Sequence, residues 1–231
     1  MLNLQPIYSN LEIKVESNIF NPHSHKIGTL IDQIWNDESK KRGIHLTNGT
    51  LLSLLRIDQT TIWVRNAEYR EFISQLINPD LFDILNVKPV AVTGFMVIDE
   101  RILVFGQRSK YCTQDPEMWE LVPSGGLSDS TDAKVQILTE LREELGIDSS
   151  MIYEIEPFCL IEDKKSHVVD ICIQMKASKA VSNKINNSSL SKEYKQVQFI
   201  PLKSVASFVK NCEGSISRVS LEILKFKKLI S

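Results

Sequence analysis

One stretch constrains the fold more than any other part of the chain: PSGGLSDSTDAKVQILTELREELGID, residues 123–148. Its Pro-Ser-Gly-Gly opening reads as a turn, and a helical pattern follows over residues 132–145. Each helical residue advances about 100°, so Glu140, Glu143 and Glu144 share one sector, with Glu140 and Glu144 stacked one turn apart. Like charges at that spacing oppose a helix by roughly 0.2–0.5 kcal/mol per pair. Either that face is fully solvated or a cation stands among the carboxylates. Leu138, Leu141 and Leu145 supply the opposite, packing face. Gly125 and Gly126 allow backbone to approach closely, and Ser130 or Thr131 can cap the helix.

Short β-rich runs surround this helix and make the chain α/β. PVAVTGFMVI and RILVFGQRS flank a tight hairpin at Asp99 and Glu100. WELVP is a short strand entering the glycine turn. YEIEPFCLIED and HVVDICIQMKA pair around KKS, and VQFIPL is a last strand before one or two helices through SVASFVKNC and SISRVSLEILKFKKLI. NKINNSSLSKEYK is polar and reads as a mobile loop. Ahead of Pro89 the pattern gives a helix through LIDQIWNDESKKRG that stops at Gly43. Strands TLLSLLRI and TIWVRN follow around Asp58 and Gln59, then a helix AEYREFISQLI that NPD ends. The expected organisation is a small α/β N-terminal unit, 1–88, and a larger unit, 89–231.

Composition narrows the class. Of 231 residues, 42% are hydrophobic, enough for a packed core. A formal net charge of −2 gives no electrostatic reason to expect nucleic acid or an anionic membrane as a partner. No apolar run is long enough to span a bilayer, and MLNLQPIYSNLEIKVES lacks the basic and apolar regions of a signal peptide. The four cysteines form no C-x-x-C pair, which argues against zinc and suits a reducing cytoplasm. Cys159 and Cys172 fall in apolar strands, where buried, inert thiols are expected.

With Gly125 as its first glycine, the stretch resembles the Nudix box, G-x5-E-x7-R-E-U-x-E-E-x-G-U, where U is aliphatic. Glu140, Leu141, Glu143, Glu144, Gly146 and Ile147 fall in register without a gap. Thr131 stands where the pattern has its first Glu and Thr139 where it has Arg, so a supporting ion pair is lost as a pair and leaves no lone charge. The order of elements from 89 to 211 is similar to the whole Nudix fold, an α/β/α sandwich around a mixed sheet. The resemblance implies a Mg²⁺-dependent (or Mn²⁺-dependent) hydrolase of nucleoside diphosphates linked to another group. It implies metal ligation by Glu140, Glu143, Glu144 and the Ser124 carbonyl, with substrate contacts at Gly125 and Gly126. Carboxylates suit such hard cations independently of the family.

Further residues are candidates on the same expectation. Glu193, in a loop before the last strand, is a candidate base beside Glu140 and Glu143, and Arg108 at the end of ILVFGQRS is a candidate phosphate contact. Glu162 and Asp170 could add oxygen ligands or contacts. His45 and His167 lack a partner at ligand spacing and read as ordinary polar or packing residues, and TNG at 47–49 reads as a turn. Trp63, Tyr69, Tyr111 and Trp119 could stack on a base, although packing accounts for each. The front unit is loosely similar to that of Nudix proteins that hydrolyse UDP-sugars, which points to a nucleotide sugar such as UDP-glucose. A homodimer is a further expectation. The alternative is a catalytically inactive nucleotide-binding module, which the two threonines favour. An isomerase of isopentenyl diphosphate would need support around Cys112 that the sequence does not offer.

Overall fold

The computed structural model describes residues 2–7, 11–16, 24–42, 46–58, 60–128, 130–185 and 190–231. Gly43, His45, Gln59 and residues 186–189 of the polar segment lie outside the described residues. The chain begins with β1 (Leu2–Pro6), β2 (Glu12–Val15), α1 (His25–Arg42), β3 (Thr50–Asp58), β4 (Thr61–Glu68), α2 (Tyr69–Ile77) and α3 (Phe82–Leu85). It continues with β5 (Val90–Ile98), β6 (Ile102–Arg108), β7 (Trp119–Leu121), β8 (Ser124–Gly126), α4 (Ala133–Leu145), β9 (Ile152–Asp163) and β10 (Val168–Ala177). Then come α5 (Ala180–Lys184), β11 (Tyr194–Pro201), α6 (Val205–Asn211) and α7 (Arg218–Phe226).

The large sheet runs β1-β9-β10-β5-β6-β11, with β8 paired to β5 and β7 to β6. β10 and β5 are parallel and the other pairs antiparallel, so the sheet is mixed. Alternation along each strand divides its two faces. Val90, Val92, Met96 and Ile98 of β5 join Ala133, Ile137, Leu141 and Leu145 of α4 in one core. Phe95 and Val97 join Val205 and Phe208 of α6 and Ile223 and Leu224 of α7 in the other. β10 alternates likewise, Ile171, Ile173 and Met175 against Cys172. The result is an α/β/α sandwich. Cys159 and Cys172 are buried free thiols opposite one another across β9 and β10.

A second sheet, β2-β4-β3, covers part of the α4 side: Ile13, Leu52, Ile62 and Val64 share the α4 core. The Leu52 N–H donates to the Leu127 carbonyl and the Leu54 N–H to that of Lys88, both at 2.8 Å. On its far side, Leu51 and Ala67 pack with Ile31, Phe72, Ile73, Leu81 and Leu85. Strands β1 and β2, which the sequence pattern does not announce, bury few side chains. β1 adds to the edge of the large sheet beside β9.

Three local expectations need correction. Ser124–Gly126 is not a turn but a short strand, in register with Ala91, Val92 and Thr93. Asp132 caps α4, accepting from the Lys134 and Val135 N–H groups at 2.8 and 3.2 Å, while Ser130 braces Asp132. Residues 180–184 form α5, which runs two residues into the polar segment and buries Val181. The hairpin is as expected, with Asp99 and Glu100 both at positive φ. Gly146, at φ 67°, ends α4 in the left-handed conformation that glycine tolerates.

The sheet opens where the site lies. β5 and β6 are paired only at Val97–Leu103 and Ile98–Ile102, beside the hairpin. Beyond that point β8 follows β5 and β7 follows β6, leaving a gap between them. No helix among the described residues is long and apolar enough to cross a membrane.

Because Ile62 is fully buried in a core shared by the small sheet and α4, Ile62→Ala is expected to cost about 2–5 kcal/mol. Urea unfolding should remain one transition with a lowered midpoint, whereas two separated transitions would show that the front sheet unfolds by itself.

Candidate active site

The gap widens into a cleft of about 660 Å³. Arg108, Glu120, Ser124, Gly125, Gly126, Asp170, Lys192 and Glu193 line it, and the front unit adds Gly49, Tyr69 and Phe72 to the wall. Residues from β5, β6, β7, β8 and β10 therefore meet at the mouth of the opened sheet.

α4 places its three glutamates in unlike surroundings. Glu143 is exposed, Glu140 half-buried, and Glu144 only 3% exposed on the packing side with Leu141 and Leu145. The Glu144 carboxylate accepts from the Ser124 N–H at 3.0 Å, which ties α4 to β8. The Glu140 carboxyl accepts from Gln136 at 2.7 Å and fills the space in which a side chain at position 125 would stand. That explains the glycine at 125, whereas a side chain at 126 would meet open space. Burial raises the Glu140 carboxyl to about 7, opposed by the Gln136 bond and helped by Glu143 and Glu193. Burial also pushes Glu144 well up, with Glu120, Glu140 and Glu193 adding to it and the Ser124 N–H opposing it.

Two residues that the sequence reading passed over complete the arrangement. Glu120, between inward-facing Trp119 and Leu121, turns to the opposite face and is 9% exposed. Its Oε1 accepts from the Tyr194 hydroxyl at 2.7 Å, Arg108 Nη1 at 2.6 Å and Ser124 Oγ at 3.3 Å. The Tyr194 hydroxyl is also 3.2 Å from Glu144 Oε1. One hydroxyl proton serves one carboxylate at a time, and the shorter contact assigns it to Glu120. The signal in the sequence was the acid inside Trp-Glu-Leu, whose alternation sends it away from the core that its neighbours fill.

Arg108 lines the cleft, but it is not free. Besides Glu120, it donates through Nε to the Gln114 carbonyl at 3.0 Å. Burial works against its charge, and Glu120, with Tyr194 and Cys112, outweighs that and holds the proton more firmly than in water. Glu193 stands near enough to raise both Glu140 and Glu144. Its carbonyl accepts from the Ser109 N–H at 2.6 Å, which clips the loop before β11 to the end of β6. Glu162 instead pairs with Lys88 at 3.6 Å. His167 stacks on Phe82, a packing role. Trp119 packs on Phe208 and Trp63 lies under Arg56, while Tyr69 and Tyr111 reach the cleft.

Asp170 differs from the acids of α4. It is 7% exposed, and among the described residues its carboxyl receives one hydrogen bond, from Thr93 Oγ1 at 2.8 Å. Burial raises it to about 7, against the Thr93 bond and with Glu120, Asp163 and Asp115 adding to the shift.

Carboxylate and carbonyl oxygens, crowded and only partly answered by Arg108, are the donor set of a hard divalent cation. Glu140, Glu143, Glu144 and Ser124 fit such an ion in chemistry. As the side chains rest, however, no three metal-binding side chains converge among the described residues. Glu140 is folded over Gly125 and Glu143 points to solvent, so the ready-made cluster expected from the helix spacing is not formed.

No protein-family model and no curated protein matches the sequence. Solved structures similar to the chain include the MutT protein from Methanosarcina mazei Go1, with TM-score 0.46, 15% identity, and 61% of this chain and 91% of that one covered. The NUDIX domain of Shewanella oneidensis NrtR, complexed with ADP ribose, has TM-score 0.47 and 13% identity over 65% of this chain and 96% of that one. A mutT/nudix family protein from Listeria innocua has TM-score 0.45 and 13% identity over 61% and 93%. These three solved structures are described as a MutT protein, a NUDIX domain and a mutT/nudix family protein.

The Asp170 shift has a checkable consequence. Its folded value of about 7 exceeds its ordinary 3.8, so its stabilising proton is fully present below 3.8 and is lost as pH rises through 7. Asp170→Asn, which stays neutral, is expected to melt above the wild type at about pH 8, with the difference shrinking towards pH 5. Equal melting curves at both pH values would show that Asp170 is not a buried, proton-holding carboxyl.

Proposed function

We propose that the chain is a divalent-metal-dependent Nudix hydrolase that cleaves the pyrophosphate of a nucleoside diphosphate linked to another group. The observation that carries this reading is that Arg108, Glu120, Ser124, Gly125 and Glu193 line one cleft, to which Glu144 of α4 is tied by the Ser124 N–H. The finer reading is Mg²⁺, with Mn²⁺ as a substitute, and a nucleotide sugar such as UDP-glucose as substrate. A cytoplasmic location and a homodimer belong to the same reading, as does the division into 1–88 and 89–231. The front unit then serves as one wall of the substrate cleft through Gly49, Tyr69 and Phe72.

Glu140, Glu143, Glu144 and the Ser124 carbonyl are the residues that would hold the cation. When bound, it supplies charge neutralisation on the phosphate oxygens. The chain's own residues do the rest. Arg108, with its guanidinium fixed by Glu120 and Gln114, presents positive charge to a phosphate in the cleft. Glu193 or Glu140 orients a water and takes its proton as the water oxygen bonds to phosphorus and the bridging P–O bond breaks. The products are a nucleoside monophosphate and a phosphorylated partner. The Ser124 N–H keeps the Glu144 carboxylate in place.

Thr131 and Thr139 support a second reading, a nucleotide-binding module without turnover. Thr139 spends its hydroxyl on the Val135 carbonyl at 3.1 Å, a bond local to α4. Purified protein offered UDP-glucose, ADP-ribose, a dinucleoside polyphosphate and NADH with Mg²⁺ or Mn²⁺ separates the two. The hydrolase reading expects release of nucleoside monophosphate from one of them, abolished by EDTA. Glu143→Gln combined with Glu144→Gln should lower the rate by at least about 10–100-fold, the loss that follows even when a supporting partner of a metal is removed. Nucleotide binding without any cleavage would establish the second reading instead.

A further inference from the structure

The cleft is polarised across the gap. Its basic lining residues, Arg108 and Lys192, both stand on the β6–β11 side, with Glu120 and Glu193 beside them. The opposite side, at the starts of β5 and β10, carries Thr93, Asp170, Asp163 and Ser166. The two aspartates there are unlike. Asp163 is occupied on both oxygens, by Arg218, the Lys165 N–H at 2.9 Å and Ser166 Oγ at 3.2 Å. It braces the β9–β10 turn against α7. Asp170 has its one bond, from Thr93, to Oδ1. No sealed-off side-chain oxygen or nitrogen among the described residues lacks a partner, so the second Asp170 oxygen is open to the cleft that it lines.

A nearly buried acceptor with one open oxygen, facing a ligand space and held by a neighbouring hydroxyl, is a recognition element. The chemistry of its partner follows from charge. A phosphate brought against it would meet a carboxyl with three further acids, Glu120, Asp163 and Asp115, in the lining of the same cleft. A hydroxyl brings a proton and no charge. The phosphates of a bound substrate therefore belong on the Arg108 side, and an uncharged hydroxyl-bearing group belongs on the Asp170 side.

We propose that Asp170, fixed by Thr93, is a specificity-determining residue that accepts hydrogen bonds from the hydroxyls of a sugar or other polyol attached to the substrate's phosphate. This deepens the proposed function and rests on it, since it assumes a phosphate on the Arg108 side. Asp170 takes no part in bond breaking. Its effect is on which phosphate ester the cleft retains.

The test compares two probes, ribose 5-phosphate and inorganic phosphate, titrated calorimetrically into the full chain in Mg²⁺ buffer. The wild type is expected to bind ribose 5-phosphate at least about tenfold more tightly than phosphate, the scale of one hydrogen bond to a charged group. Asp170→Asn should lose most of that ratio while its phosphate affinity stays within about twofold. Thr93→Val leaves the carboxyl but removes its anchor, and should lower the ratio independently of how well the Asn variant folds. A wild type that binds both probes equally overturns the inference, as do variants that fold and keep the wild-type ratio. A wild type that binds neither probe overturns the phosphate-site reading itself, and the inference with it.

Discussion

The carboxyl of Glu144 is the constraint on which the candidate site depends. It lies among the leucines of α4, almost without exposure, and must be answered by hydrogen bonds or charge. The Ser124 N–H answers one oxygen. The other shares a tyrosine hydroxyl that sits closer to Glu120. A second buried acid beside the first makes the position costlier still, and Arg108 is already engaged by Glu120. Such a carboxyl holds a proton or receives a cation. Its hold on β8 also fixes where α4 meets the sheet, and so where Glu140 and Glu143 project.

The opening of the sheet turns that constraint into a site. β5 and β6 part after two residue pairs, and the short strands β7 and β8 line the two edges of the parting. Glu120 and Ser124 arrive from those two strands, Arg108 from the end of β6 and Asp170 from the start of β10. One cleft can thereby hold a cationic side and an acceptor side a short distance apart. The small front sheet closes the cleft laterally and shares the core beneath α4.

Much of this was legible from residue order. The apolar alternation of PVAVTGFMVI, RILVFGQRS and HVVDICIQMKA survives as the two-faced core, because each strand is covered on both sides. Asp99 and Glu100 turn the hairpin, and the α4 pattern gave a helix whose ends need little adjustment. What was not legible depended on partners distant in sequence. Strands β1 and β2 bury little and are ordered by β9 and β4. Ser124–Gly126 reads as a turn from its glycines and becomes a strand because β5 offers a free edge. Helical spacing grouped the three glutamates correctly by angle but could not say that the sector straddles the buried edge, which separates Glu144 from Glu143. Glu120 is marked only by the alternation of Trp-Glu-Leu, and its link to Tyr194 by nothing local, since the two stand 74 positions apart and only the fold joins them.

The most direct test is the divalent-cation affinity of the purified chain, measured by calorimetric titration with Mn²⁺ in the absence of any nucleotide. If the carboxylates of α4 are gathered to receive a cation, the wild type binds Mn²⁺ and Glu144→Gln, correctly folded, binds it at least about tenfold more weakly. Equal binding by the two proteins, or none by the wild type, would contradict a cation site at Glu144 and leave its buried carboxyl a proton-holding structural group.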